Sequence, residues 1–392
     1  MKRIPSKATL LKKRVRKIQN RAKFVGFLYL IGTIALLAIT ACMPILTGTC
    51  ITAAGATDMP VLTFYQPILD LFAGGAEAFN SLTAAQITKL IVVVLFGAML
   101  LTMAINVLRS IGKLGWLFKR RASYSNGFNR NMYAMDDMAD RFSNSLYALV
   151  MINLFIYLFS GGLPAEGQEA TVQLTTNAYI ALGVGFGLHF ICGLIGGTVT
   201  LFSTGDRVEE EVRENGLFVF FVRNLIQIAA VAAIGYFLLQ ESVLVAKIQE
   251  VLVLVIEEQK PLAEIDWMSA LPAGLELLAW IFVAVLVGHA VADTEFNRDG
   301  VVGSGMRNFT IFSFLAAVAL AAGIALPMLG IGVAEATTEL NQNLLIAAAV
   351  ALVAFLLDCI IRPRARDDMG YDDVDMDAYF QGGEQKYNNT II

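Results

Sequence analysis

Residues 24–46 read FVGFLYLIGTIALLAITACMPIL, twenty-three positions without one charged side chain. A helix needs about 20 mostly apolar residues to cross the hydrocarbon of a bilayer. Seven further stretches have the same character: Leu90 to Leu108, Ser143 to Gly162, Ala178 to Phe202, Leu217 to Leu239, Met268 to Ala292, Phe309 to Leu329 and Asn343 to Ile361. Spans two, three and eight are the shortest. The pattern predicts an all-α fold, a polytopic membrane helical bundle of about eight transmembrane helices.

Composition agrees. The 392 residues are 57% hydrophobic and 16% charged, with a mean hydropathy of +0.64; soluble domains average roughly 45–50% apolar and about 25% charged. The expected division is a basic tail at 1–23, a membrane domain at 24–361 and an acidic tail at 362–392. Net charge is −4, which gives no reason to expect nucleic acid as a partner. The expected partners are the lipid bilayer and either further copies of the chain (a homo-oligomer) or other membrane subunits.

Orientation follows from lysine and arginine, which accumulate on the cytoplasmic side. The tail before Phe24 carries ten, among them Lys12, Lys13, Arg14, Arg16 and Lys17, and the segment after span two carries seven, from Arg109 to Arg141. Only Lys89, Lys247 and Lys260 fall on the other side. Both termini are therefore expected in the cytoplasm, most simply of a bacterial plasma membrane, with an organellar inner membrane as the other setting. Residues 1–57 contain no Asp or Glu, and Ile39-Thr40-Ala41-Cys42 resembles a lipoprotein cleavage box. A retained first span is the expectation.

Two outer segments look amphipathic. One runs through Pro60-Val61-Leu62-Thr63-Phe64-Tyr65-Gln66-Pro67 toward Phe72; in the other, Leu244, Ile248, Val251, Leu252 and Val255 recur at helical spacing between Ser242 and Glu258. Helices lying in the outer interface account for both. Asn and Arg recur at the start of the odd spans, as Arg141/Asn144, Arg213/Asn215 and Arg307/Asn308. This suggests parallel two-helix repeats, although positive-inside selection alone also places arginine there.

Few motifs carry chemistry. No P-loop or H-E-x-x-H occurs, and Cys42, Cys50, Cys192 and Cys359 show no metal-ligand spacing. No cofactor, metal or catalytic activity is expected. Cys42 and Cys50 both belong near the outer end of span one, where a disulfide or two free thiols would fit.

Ionisable residues inside spans are costly and face protein or water rather than lipid. Span four holds His189; span five holds Arg223, Asn224 and Gln227; span six holds Glu276, His289 and Asp293. If spans four to six pack together, these residues line a pathway for an ion or small solute, and the chain is a channel or secondary transporter. The same side chains equally suit structural hydrogen bonding in an assembly subunit of a larger membrane complex. Arg223 needs an anionic partner, but Glu276 falls toward the outer side and Arg223 toward the inner. Asp358 and Arg362 read as a structural pair at the end of span eight. In span four, Gly183/Gly187 and Gly193/Gly197 put small residues on one face and predict close helix packing.

Overall fold

The computed structural model describes residues 7–42, 44–48, 57–60, 72–75, 82–118, 124–161, 173–174, 180–192, 195, 206–240, 242–292, 305–333 and 340–361. Helix dominates. The long helices are α1 (Lys7–Cys42), α2 (Ala84–Leu117), α3 (Tyr124–Gly161), α5 (Asp206–Gln240), α7 (Leu271–Ala292), α8 (Gly305–Met328) and α9 (Gln342–Ile361). Between them lie a shorter apolar helix, α4 (Ile180–Cys192), and the short helix α6 (Leu244–Leu252). Six helical segments among the described residues are long and apolar enough to cross a membrane: Gln19–Ala41, Val94–Leu117, Val222–Gln240, Leu271–Val291, Phe309–Met328 and Gln342–Ile361. The chain is thus a multi-pass integral membrane protein.

The two remaining expected spans take a different form. Span three is the second half of the 38-residue α3. Span four is described as helix only over α4, whose thirteen residues reach about 20 Å. Span one ends earlier than expected, at Cys42, because Pro44 cannot continue a helix and instead opens a strand. That strand, β1 (Pro44–Gly48), lies between β2 (Thr57–Pro60) and β3 (Gln173–Leu174) in a small antiparallel sheet, with Leu46 opposite Leu174. The first outer segment therefore begins as sheet; residues 61–71 and Cys50 lie outside the described residues.

The helices pack in two groups. α3 lies against α1 and α2, while α8 lies against α7 and α9 and α9 lies against α5. α3 joins the groups by touching α7 and α5. Side chains of α3 such as Met138, Phe142, Leu146, Leu149 and Ile152 are fully buried at the first seam. On α9 the buried face is nearly all alanine (Ala347, Ala348, Ala351 and Ala354) and ends in Asp358. Lipid competes for apolar contact as well as any helix does, so small residues that let backbones approach are what holds such a seam together.

Tight backbone approach is explicit at two glycines. A Cβ on Gly185 would stand 2.8 Å from Leu146 Cδ1 and 3.4 Å from Leu36 Cδ2, so α4 presses on α1 and α3 there. Gly332 has φ +79°, and its Cβ would meet Pro272 Cδ at 3.0 Å and the Met268 carbonyl oxygen at 3.1 Å. The turn after α8 is thereby folded down on the start of α7.

Candidate functional site

Those of the expected pathway residues that are described fall into three separate places, each governed by a different helix contact.

At the Gln342-distant end of α9, Asp358 is 3% exposed and receives Arg223 from α5, itself 4% exposed. Arg223 Nε donates to Asp358 Oδ1 at 2.9 Å, and Gln227 Nε2 reaches the same oxygen at 3.5 Å. Thr310 Oγ1, in the first buried turn of α8, donates to Asp358 Oδ2, and Ser313 Oγ donates to the Thr310 carbonyl at 3.0 Å. His289, half-buried in the last turn of α7, feels the charge of Arg223. Three helices, α5, α8 and α9, thus meet at one carboxylate. Asn224 is 4% and Gln227 1% exposed, yet Asn224 Nδ2 and Gln227 Oε1 have no hydrogen-bond partner among the described residues. A buried amide left short of partners costs roughly 1–3 kcal/mol.

Arg223 therefore has its anion, but in Asp358 rather than in Glu276. The expected Asp358–Arg362 pair involves Arg362, which lies outside the described residues. Asp358 continues the buried stripe of Ala347, Ala351 and Ala354 at four-, three- and four-residue steps. That stripe turns the carboxylate inward.

Glu276 sits at the opposite end of α7, thirteen residues and about 20 Å from His289. Its carboxylate closes the start of α6: Oε2 accepts the Val243 N–H at 2.8 Å and the Leu244 N–H at 2.9 Å, while Oε1 accepts Ser242 Oγ and Trp280 Nε1, the latter at 3.1 Å. α6 has no capping side chain of its own, so its orphan amide groups are satisfied by a carboxylate from another helix. The far end of the same outer unit, a π-helical turn at Val253–Glu257, supplies Glu257, whose Oε1 accepts the Ala84 N–H at the start of α2 with 3.0 Å. α6 is thus strapped to one helix group through Glu276 and to the other through Glu257. Its amphipathic reading holds: Leu244 and Val245 face inward, and Lys247 bonds Glu250 and Ser269.

His189 forms the third place. It is 0% exposed, with its ring 6.0 Å from Tyr29 and 5.5 Å from Phe142 between centroids. Nε2 lies 3.1 Å from the Val291 carbonyl oxygen of α7. A carbonyl only accepts, so Nε2 carries a proton, and Nδ1 has no hydrogen-bond partner among the described residues. The histidine ties α4 to α7 inside an aromatic enclosure.

Of the span-four glycines, Gly183 and Gly187 face open space, with nothing within 4 Å of an added Cβ. The close contact belongs to Gly185, two residues from each and hence on the other side of the helix. Helix packing at α4 is corrected accordingly. Gly193, Gly197 and Asp293 lie outside the described residues.

No protein-family model, curated protein or solved structure matches this chain.

Proposed function

We propose that the chain is a non-enzymatic channel or secondary transporter for an ion or small solute, controlled at the Arg223–Asp358 cluster. The observation that carries this reading is a buried ion pair, 2.9 Å long, with two amide groups short of partners beside it. Charged groups are expensive inside a membrane and mark solute pathways more often than they mark plain packing. In this reading the pathway narrows where the middle of α5, at Arg223, Asn224 and Gln227, faces the ends of α7, α8 and α9 that carry His289, Thr310 and Asp358. The topology that accompanies it has eight crossings in parallel two-helix repeats, with both termini on the cytoplasmic side of a bacterial plasma membrane.

The test is flux into liposomes loaded with the purified chain, using a panel of small cations and anions. Gln227→Leu removes one of the orphaned amides while keeping the ion pair. An altered rate or ion preference supports the pathway; flux equal to empty liposomes for every solute ends it.

A second reading has its own observation. His189 and Glu276 are both spent on holding helices together, as suits a structural or assembly subunit of a larger membrane complex. Purification from native membrane in mild detergent separates the two. A stable particle containing other chains supports the subunit, and a monodisperse monomer excludes it.

A further inference from the structure

A polar ladder runs between α2 and α3 that plays no part in any of the three places above. Asn106, Ser110 and Lys113 recur on one face of α2; Ser145, Arg141 and Asp137 recur at four-residue steps on α3. Asn106 Nδ2 donates to Ser145 Oγ at 3.2 Å, and Arg141 Nη2 donates to Asp137 Oδ1 at 3.3 Å. Lys113 Nζ lies 3.8 Å from the same Asp137 oxygen. The rungs above and below put Ser110 level with Arg141. Ser110 is 0% exposed, and its Oγ has no hydrogen-bond partner, nor do Asp137 Oδ2 and Arg141 Nε. The seam holds more polar capacity than the described protein satisfies.

Its edge is open. The side chains of Lys113, Asp137 and Arg141 keep 36%, 22% and 25% exposure, and Arg109, one turn before Lys113, is exposed. Lys113 and Arg141 flank one carboxylate, and Arg109 adds a third cation one turn along α2. Around α2 from Lys113, the surface passes through Trp116, whose ring lies 5.0 Å from Lys113 Nζ, to Gly112, Ile105, Leu101 and Leu108. The last three are exposed, and a Cβ on Gly112 would meet nothing within 4 Å. α2 itself carries only cations, Arg109 and Lys113, at the Leu117 end of its membrane-crossing segment, beside an aromatic ring and above an exposed apolar strip. Headgroups of a bilayer lie at that level, and Trp is enriched there.

We propose that the edge of the α2–α3 seam binds one anionic glycerophospholipid, its phosphate diester held by Arg109, Lys113 and Arg141 and its acyl chains lying along Leu101, Ile105 and Leu108. Asp137 holds Lys113 and Arg141 together, so two of the three cations are set before the phosphate arrives; that preorganisation lowers the ordering cost of binding. The proposal rests on membrane embedding of α2, not on transport.

The experiment is native mass spectrometry of the full chain released from detergent, titrated with phosphatidylglycerol or phosphatidylcholine. Phosphatidylglycerol should be retained in preference, and the Arg109→Gln/Lys113→Gln variant should weaken its retention by about thirty-fold, from about fivefold per lost charge. Arg109→Gln alone, at an exposed position, should give about fivefold and serves if the double variant does not fold. Inorganic phosphate at matched ionic strength should leave retention unchanged. Equal retention of both lipids, or unchanged retention in Arg109→Gln, overturns the proposal. Displacement of the lipid by phosphate overturns it too, in favour of a free-phosphate site.

Discussion

Replacing Glu276 by glutamine isolates what the carboxylate does for the outer strap, because size and burial barely change. In the native chain two oxygens take four donors: Ser242 Oγ and Trp280 Nε1 on one, the Val243 and Leu244 amides on the other. Glutamine keeps one oxygen and sets an NH2 group against the other pair of donors, whichever way it turns. Two donors then lose their acceptor, each at roughly 1–3 kcal/mol, and the negative charge at the helix start is lost as well, at about 0.3–1 kcal/mol. The sum is about 2–7 kcal/mol, and about 3 kcal/mol, toward its lower end, is used because the Ser242 hydroxyl can turn to another acceptor. It should act locally, since Leu244 and Val245 still bury their side chains and α7 has its own contacts with α8 and α5. Local opening of residues 243–252 should therefore become about a hundredfold more frequent. Hydrogen–deuterium exchange of the chain in lipid nanodiscs measures this: peptides covering 243–252 should exchange about a hundredfold faster, while those covering α9 stay unchanged. Exchange within threefold of the native rate would refute the view that Glu276 is the cap of α6. Acceleration spread equally over α9 would refute its locality.

Three further outcomes follow from the geometry. Arg223→Met should lower thermal stability in detergent by an amount equivalent to about 3–5 kcal/mol, because Asp358 is then buried without its cation. Adding Asp358→Leu to that variant should restore most of the loss, as a thermal-shift double-mutant cycle will show. Gly185→Val should destabilise by about 1–3 kcal/mol through collision with Leu146, whereas Gly183→Ala, facing open space, should be neutral or slightly stabilising by up to about 1 kcal/mol; melting curves of the two variants compare them directly. Gly332→Ala should cost about 1–2 kcal/mol, from the left-handed backbone and the Met268 carbonyl combined, seen as a lower melting temperature.

The membrane-crossing segments were legible because lipid demands unbroken apolar runs, and a run such as residues 342–361 needs no context to be recognised. The ends of spans were less so: Cys42 ends α1 because of Pro44, a local rule that the smooth hydropathy of residues 24–46 masked. Partner choice was hidden for a different reason. Arg223 and Asp358 are 135 residues apart, and Arg362, four residues on from Asp358, offered a nearer cation. The alanine stripe at 347, 351 and 354 was the available signal, since it points Asp358 at a neighbouring helix. Glu276 had a signal too, in the missing cap at the start of the 244–252 helix. The polar seam of Asn106, Ser110 and Asp137 had none in single-helix patterns, because its residues acquire meaning only when α2 and α3 lie side by side. Gly185 lost to Gly183 and Gly187 because the four-residue spacing of small residues is a packing habit, and it does not say which face of α4 meets α1.

The strap at α6 bears on the order in which the chain matures. Its two fastenings come from opposite ends of the sequence: Ala84, made long before α6, and Glu276, made after it. A ribosome that has released residues 244–252 has not yet supplied the carboxylate that closes them. Until α7 is inserted to the depth that brings Glu276 against Val243 and Leu244, the short helix has no fixed start, and its apolar side has no settled place. Closure of the strap therefore reports that α2 and α7 stand at matching heights. A copy in which either has slipped keeps a loose outer segment, open to proteolytic removal.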